Sequence, residues 1–260
     1  MLQQAKAALK SIPGLRAVYH VVVRPFRTME TETHARRYCT LLPQVVAAPV
    51  FVKVGANDGV TGDPISDILL ADERWRGLLI EPAPPCFQRL AANFHDPRRF
   101  VLEQAAVGRT NGDAPFYFVD PRAARELPGL PDWFDQLGSF DRNHILKHLD
   151  GVLEPFIIEQ RVPVRRLEDV LQEDGFRDVH LLHIDVEGYD FEVLKTLDIA
   201  ARPPAAILVE HTHLARADKI ATLKMLRTLH YQVEGDVGNY FAVHRNSPLR
   251  KLVRDRAHVR

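Results

Sequence analysis

The chain has 260 residues, of which 46% are hydrophobic and 26% are charged, and this predicts one large, soluble domain with a substantial core. Its 34 basic and 34 acidic residues cancel, so no overall field favours nucleic acid, and we expect no nucleic-acid partner. Cys39 and Cys86 have neither disulfide nor zinc-site spacing, and the sequence contains no signal peptide and no apolar run of about 18 residues. These features predict a cytoplasmic protein without a disulfide framework or a structural zinc site.

Residues 1–48 are predicted to form an N-terminal helical extension. Leu2–Leu9 and Thr31–Leu42 have helical patterns, and the apolar stretch Val18–Val23 runs into the basic segment Arg24–Arg27. Two interpretations stay open. The extension is either a helical cap that covers a sheet, or an amphipathic basic segment that contacts a membrane surface or a partner.

From Val50 onward, strands and helices alternate, which predicts an α/β fold with a mostly parallel sheet and helices on both faces. The predicted helices are Pro64–Asp72, capped by Asp63, and Pro84–Phe94, Leu167–Glu173, Tyr189–Leu197 and Lys219–Leu229. The predicted strands are Val50–Val54, Gly77–Glu81, Phe100–Ala106, Ala114–Val119, Val179–Asp185, Ala206–Glu210, Tyr231–Gly235 and Tyr240–His244, of which the last two form an antiparallel hairpin. We assign residues 49–245 to one domain, with an insertion at residues 121–160 over the ligand crevice, and residues 246–260 to a basic tail.

The most informative motif is the glycine turn after the first strand, FVKVGANDG, in which Gly55 and Gly59 bracket a tight loop. Backbone N–H groups in a turn between a strand and a helix can approach a ligand closely. The spacing lacks the third glycine of the dinucleotide pattern, so a pyrophosphate is not the natural ligand. Asn57 and Asp58, which lie between the glycines, suit amine, carboxylate or ribose groups instead.

The next two strands also end near polar side chains. Glu81 follows the glycine turn by about 20 residues, the distance at which an acid accepts hydrogen bonds from a ribose diol. Gln104 lies beside small residues, where it could hydrogen-bond the edge of an adenine ring; alternatively, the chain simply leaves the sheet at Gly108. Together with the glycine turn, these residues predict a ligand that contains a nucleoside.

Two later strands end in acids and histidines. Asp185 and Glu187 follow an apolar strand and point to the same face if the strand geometry continues. A buried acid has a raised pKa and is a usable base, whereas an acid near a sulfonium or a metal cation stays ionised. Glu210, His211 and His213 follow the next strand and allow three interpretations: metal ligands, a general base, or inert loop residues.

In this order, the motifs resemble those of the FkbM family of S-adenosylmethionine-dependent methyltransferases. The resemblance covers Val50–His244 and rests on the glycine turn together with WRGLLIEP, LEQAAVG, LGSFDRNHILKH, VPVRRLEDVL, LLHIDVEGYDFEVL and PAAILVEHTHL. It implies a class I methyltransferase fold, Rossmann-like and doubly wound, with S-adenosylmethionine as the cofactor. Many members of the family carry an acid at the position of Lys53, so the contact to the amino group of the cofactor must come from another residue, of which Asp58 is the nearest.

The resemblance also implies roles for individual residues. Asp185 would lie beneath the sulfonium end of the cofactor, and Ser139 belongs to a segment that closes over it. The remaining cofactor contacts would be Gly55, Asn57, Asp58 and Gly59 to the methionine, Glu81 to the ribose and Gln104 to the adenine. The acceptor wall would lie in the insertion and consist of Trp133, Phe140, His144 and His148.

The reaction implied by the resemblance is O-methylation of a hydroxyl on a sugar, a glycan or a glycosylated metabolite. A hydroxyl is a poor nucleophile, so a base or a cation must handle its proton. We predict Glu187, His211 and His213 as catalytic residues, and Asp185, Glu210 and His211 as ligands if a divalent metal such as Mg²⁺ or Mn²⁺ takes part. The competing functions are a nicotinamide-dependent oxidoreductase, which the missing glycine disfavours, and a non-catalytic Rossmann-like protein that binds nucleosides.

Overall fold

A computed structural model describes residues 34–235 and 238–252 of the chain. The predicted helix Leu2–Leu9, the stretch Val18–Val23 and most of the basic tail lie outside the described residues. The described chain begins with a helix over residues 34–41, here α1, which buries Tyr38 and Cys39 against the sheet. This part of the extension is therefore a cap on the sheet, and the membrane interpretation concerns residues outside the described ranges.

Strands and helices alternate along most of the described chain. The strands are β1 (Val50–Val54), β2 (Arg76–Ile80), β3 (Phe100–Glu103), β4 (Ala106–Val107), β5 (Gly112–Val119), β6 (Ile157–Arg165), β7 (Leu181–Ile184), β8 (Ala206–Glu210), β9 (Tyr231–Gly235) and β10 (Asn239–His244). After α1, the α-helices are α2 (Ser66–Ala71), α3 (Pro84–Asn93), α4 (Ala123–Glu126), α5 (Arg142–Leu146), α6 (Leu167–Glu173), α7 (Asp190–Leu194) and α8 (Arg216–Thr228). Within residues 34–235 and 238–252, none of these helices has the length and apolar character needed to cross a membrane.

Seven strands form the central sheet in the order β3-β2-β1-β7-β8-β10-β9. The pairs β3–β2, β2–β1, β1–β7 and β7–β8 are parallel, while β10 is antiparallel to both β8 and β9. The predicted α/β fold, with its mostly parallel sheet and antiparallel C-terminal hairpin, is confirmed. Because the chain winds outward from β1 on one side and from β7 on the other, the carboxyl ends of these two strands flank a topological switch point, where such sheets bind ligands.

A second sheet of three strands, in the order β4-β6-β5, was not predicted. The predicted strand Phe100–Ala106 is divided between the two sheets, because the central strand ends at Glu103 and Ala106 pairs with Val164 of β6. β5 pairs antiparallel with β6 and takes no part in the central sheet. β6 was missed because most of it is exposed or half-buried and carries charged side chains and a proline, so it lacks the apolar alternation of a strand.

The two faces of the central sheet pack into separate apolar clusters. In β1, Val52 and Val54 face one cluster, whereas Phe51 faces the other, where it contacts Trp75 at a ring-centroid distance of 6.1 Å. Full burial of such side chains contributes about 1.5–3 kcal/mol each. A sheet that is buried on both faces holds the carboxyl ends of β1 and β7 in fixed positions, and these ends carry the site.

Candidate active site

The glycine turn brings the end of β1 against the end of β7. Gly55 has a φ of +75°, and a Cβ at this position would lie only 1.8 Å from the carbonyl oxygen of Asp185, so only glycine permits this approach. Asn57 has a φ of 51°, and its backbone N–H donates to Glu81 Oε2 over 2.8 Å. The turn and the end of β2 are therefore joined by a buried carboxylate.

Glu81 is buried at the floor of the crevice, and both of its oxygens accept backbone hydrogen bonds. Oε2 accepts from Asn57 and Oε1 accepts from Ala83, each over 2.8 Å. Burial raises the pKa of Glu81 to about 7, although the two N–H donors and the positive charge of Lys53 favour the ionised form. A carboxyl group with a pKa near neutrality can respond to a ligand by losing its proton.

A cleft opens over Glu81, and its empty space of about 610 Å³ includes part of the open solvent at its mouth. We call it the cofactor cleft. Its polar lining includes Gly55, Asn57, Glu81, Asp185 and Glu187, and its apolar lining includes Ile80, Ala83, Cys86, Ala105, Ala106, Val107, Phe116 and Phe140. An apolar slot with a few convergent polar groups at one end suits an adenosine.

The side chain of Asn57 is not satisfied by the protein. Both its Oδ1 and its Nδ2 are buried in the wall of the cofactor cleft, and neither has a hydrogen-bond partner. Buried polar atoms are nearly always paired, so this amide indicates a ligand that both donates and accepts hydrogen bonds there.

Three of the predicted cofactor residues do not line the cofactor cleft. The carboxylate of Asp58 accepts hydrogen bonds from the backbone of Val60 and Thr61 and from the Thr61 hydroxyl, so it stabilises its own turn rather than lining the cofactor cleft. Gly59 packs on α3, where a Cβ would lie 2.4 Å from the Phe94 ring. Gln104 is exposed and is absent from the cleft wall, because β3 ends at Glu103 and the chain then buries Ala105 in its place.

A second pocket of about 410 Å³ shares Gly55, Asn57 and Asp185 with the cofactor cleft and extends to Lys53, Asp63 and His183. We call it the lysine pocket. Lys53 and Asp63 form an ion pair in which the two side chains are only 8% and 2% exposed. His183 Nδ1 lies 3.7 Å from Asp63 Oδ2.

Charge compensation sets the protonation states in the lysine pocket. Burial opposes the ionisation of Asp63, but Lys53 and His183 outweigh it and hold the pKa of this acid below its usual value. Burial, aided by Lys53, lowers the pKa of His183 to about 4. Asp185 lies between this pocket and the cleft, and burial raises its pKa.

The loop that follows β7 holds Glu187 at the border of both cavities. Glu187 has a φ of 54°, and the buried carboxylate of Asp190 fixes the loop by accepting hydrogen bonds from the backbone of Val186 and Gly188 over 3.2 and 3.1 Å. Burial and the neighbouring Asp185 raise the pKa of Glu187 to about 8. An acid with this pKa can accept a proton near neutral pH.

Two histidines contact Glu187, and a third histidine packs against both of them. His144 and His148 come from α5 and the residues after it, and His213 comes from the loop after β8. Glu187 Oε2 lies 3.0 Å from His144 Nε2 and 3.3 Å from His213 Nε2, and the three rings have centroid distances of 4.8–5.3 Å. We call His144, His148 and His213 the histidine cluster.

His211 and the predicted metal set are not supported by this geometry. The His211 ring packs on Tyr240 at a centroid distance of 4.0 Å and lines neither cavity, because successive side chains at the end of β8 point to opposite sides. Glu210, whose pKa is raised to about 8 by burial, reaches within 3.9 Å of His213 Nε2. Among residues 34–235 and 238–252, the three side chains with metal-ligand spacing are the histidine cluster, not Asp185, Glu210 and His211.

The predicted acceptor wall is divided between two places. Phe140 and Ser139 line the cofactor cleft, and Phe140 packs between Phe116 and Tyr189. Trp133, which is 40% exposed, lies beside His148 with a centroid distance of 6.3 Å. The open side of the histidine cluster therefore has an aromatic neighbour.

Four residues have roles that the sequence did not predict. Asp63 was predicted as the N-cap of a helix that begins at Pro64, but α2 begins at Ser66 with Ile65 at its N-cap, and Asp63 accepts hydrogen bonds from the backbone of Ile65 and Ser66. Its pairing with Lys53, and the burial of His183 beside it, depend on contacts between separate strands and loops. Gln136 of the insertion also lines both cavities and donates to the Thr61 carbonyl over 2.8 Å, and no sequence motif marks it.

Comparison with known proteins gives one family. The family model described as "Methyltransferase FkbM domain" matches residues 53–235, which include every strand from β2 to β9. The match therefore spans the cofactor cleft, the lysine pocket and the histidine cluster.

Individual relatives are more distant. "Methyltransferase 1" of Beauveria bassiana (strain ARSEF 2860) is 31% identical over 124 residues, which are 46% of this chain and 48% of that protein. "AMB antimetabolite synthetase AmbE" of Pseudomonas aeruginosa is 26% identical over 217 residues, or 74% of this chain and 10% of that protein. The chain thus matches about half the length of the first relative and a tenth of the second. Among solved structures, a methyltransferase FkbM from Methylobacillus flagellatus KT is 15% identical, with a TM-score of 0.47 over 75% of this chain and 43% of that one.

Proposed function

The chain belongs to the FkbM methyltransferase family, and on that premise we propose that it transfers a methyl group from S-adenosylmethionine to a hydroxyl of a sugar, a glycan or a glycosylated small molecule. The observation that carries this proposal is the position of Glu187. This acid lines the cofactor cleft and also contacts the histidine cluster, so it lies between the donor and the open side of the site. Membership of a methyltransferase family disfavours the nicotinamide-dependent alternative.

In the proposed complex, the adenosine occupies the cofactor cleft. Glu81 accepts hydrogen bonds from the ribose diol. The adenine ring contacts the apolar wall at Ala105, Ala106 and Val107, and not Gln104 as the sequence suggested. The amide of Asn57, which has no partner in the protein, pairs with the polar part of the ligand.

The methionine end then extends into the lysine pocket. Its carboxylate is attracted by Lys53, and its ammonium group by Asp63 and Asp185, since all three line this pocket. These residues replace Asp58, whose carboxylate is occupied within its own turn. A zwitterion matches a pocket that carries both signs of charge.

Methyl transfer is an in-line displacement, and the hydroxyl oxygen must approach to ~3–3.5 Å from the methyl carbon. The new O–CH₃ bond forms as the S–CH₃ bond breaks, and the electron pair of that bond remains on sulfur. In the proposed mechanism, Glu187 takes the hydroxyl proton, for which its pKa of about 8 is suited. The products are a methyl ether, S-adenosylhomocysteine and protonated Glu187.

The acceptor class is inferred from the family resemblance and from the aromatic surface at the mouth of the site. Trp133 exposes 40% of its surface beside His148, and aromatic faces suit the apolar faces of sugar rings. The test is mass spectrometry of products from a panel of glycosides, peptides and free phenols. Methylation of sugar oxygens supports the proposal, and methylation confined to peptide nitrogen would contradict it.

Loss of the Glu81 carboxylate should weaken cofactor binding. In Glu81→Ala, the ribose diol and two buried N–H groups lose their acceptor, so the affinity for S-adenosylhomocysteine should fall by about 1–3 kcal/mol, measured by calorimetry. The matched control is Glu103→Ala, which removes the acid at the end of the neighbouring strand. Glu103 pairs with Arg165 over 3.3 Å outside the cleft. Equal affinities of the two variants for S-adenosylhomocysteine would show that Glu81 does not contact the ligand.

Cofactor affinity should also increase with pH. The free carboxyl group of Glu81 has a pKa of about 7, and a ribose diol that donates hydrogen bonds favours the ionised form, so binding must expel a proton at low pH. We expect the dissociation constant of S-adenosylhomocysteine to be about tenfold higher at pH 6 than at pH 8. In Glu81→Gln this dependence should disappear. If the affinity of Glu81→Gln still depends on pH, a group other than Glu81 must be responsible.

A further inference from the structure

We propose that the histidine cluster and Glu187 bind a divalent transition-metal ion. One ring nitrogen of each histidine lies within 4.8 Å of the others, and Glu187 Oε2 lies 3.0 and 3.3 Å from the Nε2 atoms of His144 and His213. Three imidazoles, with the Glu187 carboxylate beside two of them, offer ligands for zinc, manganese or iron. A divalent ion would therefore bind at the histidine cluster and not at Asp185, Glu210 and His211, the ligands predicted from the sequence.

Two of these ligand atoms lack the partner that their burial requires. His144 Nε2 and Glu187 Oε2 are both buried, and although they lie 3.0 Å apart, neither makes a hydrogen bond of acceptable geometry. Buried polar atoms without partners are rare because they lose their hydration and gain nothing in return. A cation between them would satisfy the lone pairs of both.

The backbone orients the histidines toward a common point. His144 lies in α5 and His148 follows two residues after its end, and the centroids of their rings lie 4.8 Å apart. His148 Nδ1 lies 2.8 Å from the carbonyl oxygen of His144, and this contact fixes the Nδ1–H tautomer and leaves Nε2 available as a ligand. On the opposite side, Gly188 has a φ of +99°, and a Cβ there would lie 3.2 Å from the His213 carbonyl oxygen, so glycine lets the two loops meet.

The nature of the ligands selects among ions. Magnesium prefers oxygen ligands in an octahedron, whereas imidazole nitrogen suits zinc and other first-row transition metals. We therefore expect Zn²⁺ and Mn²⁺ to bind more tightly than Mg²⁺. Four side chains leave space for a further ligand when the ion expands its coordination.

The role of this ion rests on the proposed function, whereas its binding does not. The site adjoins Glu187, which lines the cofactor cleft, so an acceptor hydroxyl that reaches the donor methyl also reaches the ion. A bound cation makes such a hydroxyl more acidic.

The experiment is equilibrium dialysis of tag-free, EDTA-treated protein against Zn²⁺, Mn²⁺ or Mg²⁺, followed by elemental analysis, with Co²⁺ as a spectroscopic probe. We expect one equivalent of Zn²⁺ and Mn²⁺, weaker binding of Mg²⁺, and a visible Co²⁺ band typical of nitrogen ligands. The variant His148→Ala/His213→Ala should bind Zn²⁺ about a hundredfold more weakly. His95→Ala, which removes an exposed histidine far along the chain from the cluster, should bind normally.

Folding of the double variant is checked by its circular dichroism and by its affinity for S-adenosylhomocysteine, both of which should match those of the wild type. Equal Zn²⁺ binding by the wild type and the double variant, or no stoichiometric binding of any ion, would overturn the proposal. If the protein binds one Zn²⁺ but transfers no methyl group, the metal site is supported and the proposed function is contradicted. Full methyl transfer in EDTA, without any bound ion, would support the proposed function and contradict a role of the ion in methyl transfer.

Discussion

Replacing Glu187 with glutamine is expected to slow methyl transfer by about 10²–10⁴-fold, the range typical of a lost general base. Glutamine keeps the shape of the side chain but cannot accept the hydroxyl proton. Glu187 is the acid that faces both the cofactor cleft and the histidine cluster, so no equivalent group remains at that point. The measurement is the single-turnover rate at saturating S-adenosylmethionine and acceptor, together with calorimetry of S-adenosylhomocysteine binding.

The control for this variant is Glu192→Gln, which changes an acid five residues along the same segment. Glu192 pairs with Lys195 and Arg109 outside the cofactor cleft, so its replacement should leave the rate within about twofold of the wild type. The affinity of Glu187→Gln for S-adenosylhomocysteine should stay within the same range. A rate in Glu187→Gln that lies within tenfold of the wild-type rate would show that another group accepts the proton.

Replacing Lys53 with methionine is expected to lower the free energy of unfolding by about 3–5 kcal/mol. Lys53 and Asp63 are both buried, and removal of the lysine leaves the Asp63 carboxylate without its main counter-charge in a protein interior. His183, 3.7 Å from Asp63, is held neutral by burial and by Lys53, so it compensates only in part when Lys53 is lost. Urea unfolding at pH 7.5 measures this change.

The double variant Lys53→Met/Asp63→Asn is the matched control. Asparagine removes the uncompensated charge but retains an oxygen that accepts from the backbone of Ile65 and Ser66, so part of the stability should return. In Arg98→Met, an exposed ion pair with Asp96 is lost, and the unfolding midpoint should hardly move. A double variant less stable than Lys53→Met would contradict the account of the buried pair.

The central sheet was predictable because its signals are local. Apolar strands such as β1 and β7, each followed by a glycine or an acid, can be recognised from a few consecutive residues. Because these strands alternate with helices, the sequence predicts a parallel sheet. β6 could not be found in this way, since its first five residues are exposed or half-buried, and only Val162 and Val164 near its end are buried in an apolar cluster. The antiparallel pairing of β5 and β6 is visible only in three dimensions.

The site shows the same division between local and long-range information. Glu81 and Asp185 were predicted from strand ends, and both line the cofactor cleft. The histidine cluster combines α5 with the loop after β8, about 65 residues later in the chain, and no spacing rule links such distant positions. His211 was predicted as a site residue because the sequence does not show which side chains after β8 point toward the site. In the structure, the His211 ring packs on Tyr240 instead.

The most direct test of the account is a crystal structure of the chain with bound S-adenosylhomocysteine. We expect both ribose hydroxyls to hydrogen-bond to Glu81, the methionine end to enter the lysine pocket beside Lys53, and the sulfur to face Glu187 on the side of the histidine cluster. A ligand bound in the cofactor cleft with its sulfur turned away from Glu187, or bound outside the cleft altogether, would contradict it.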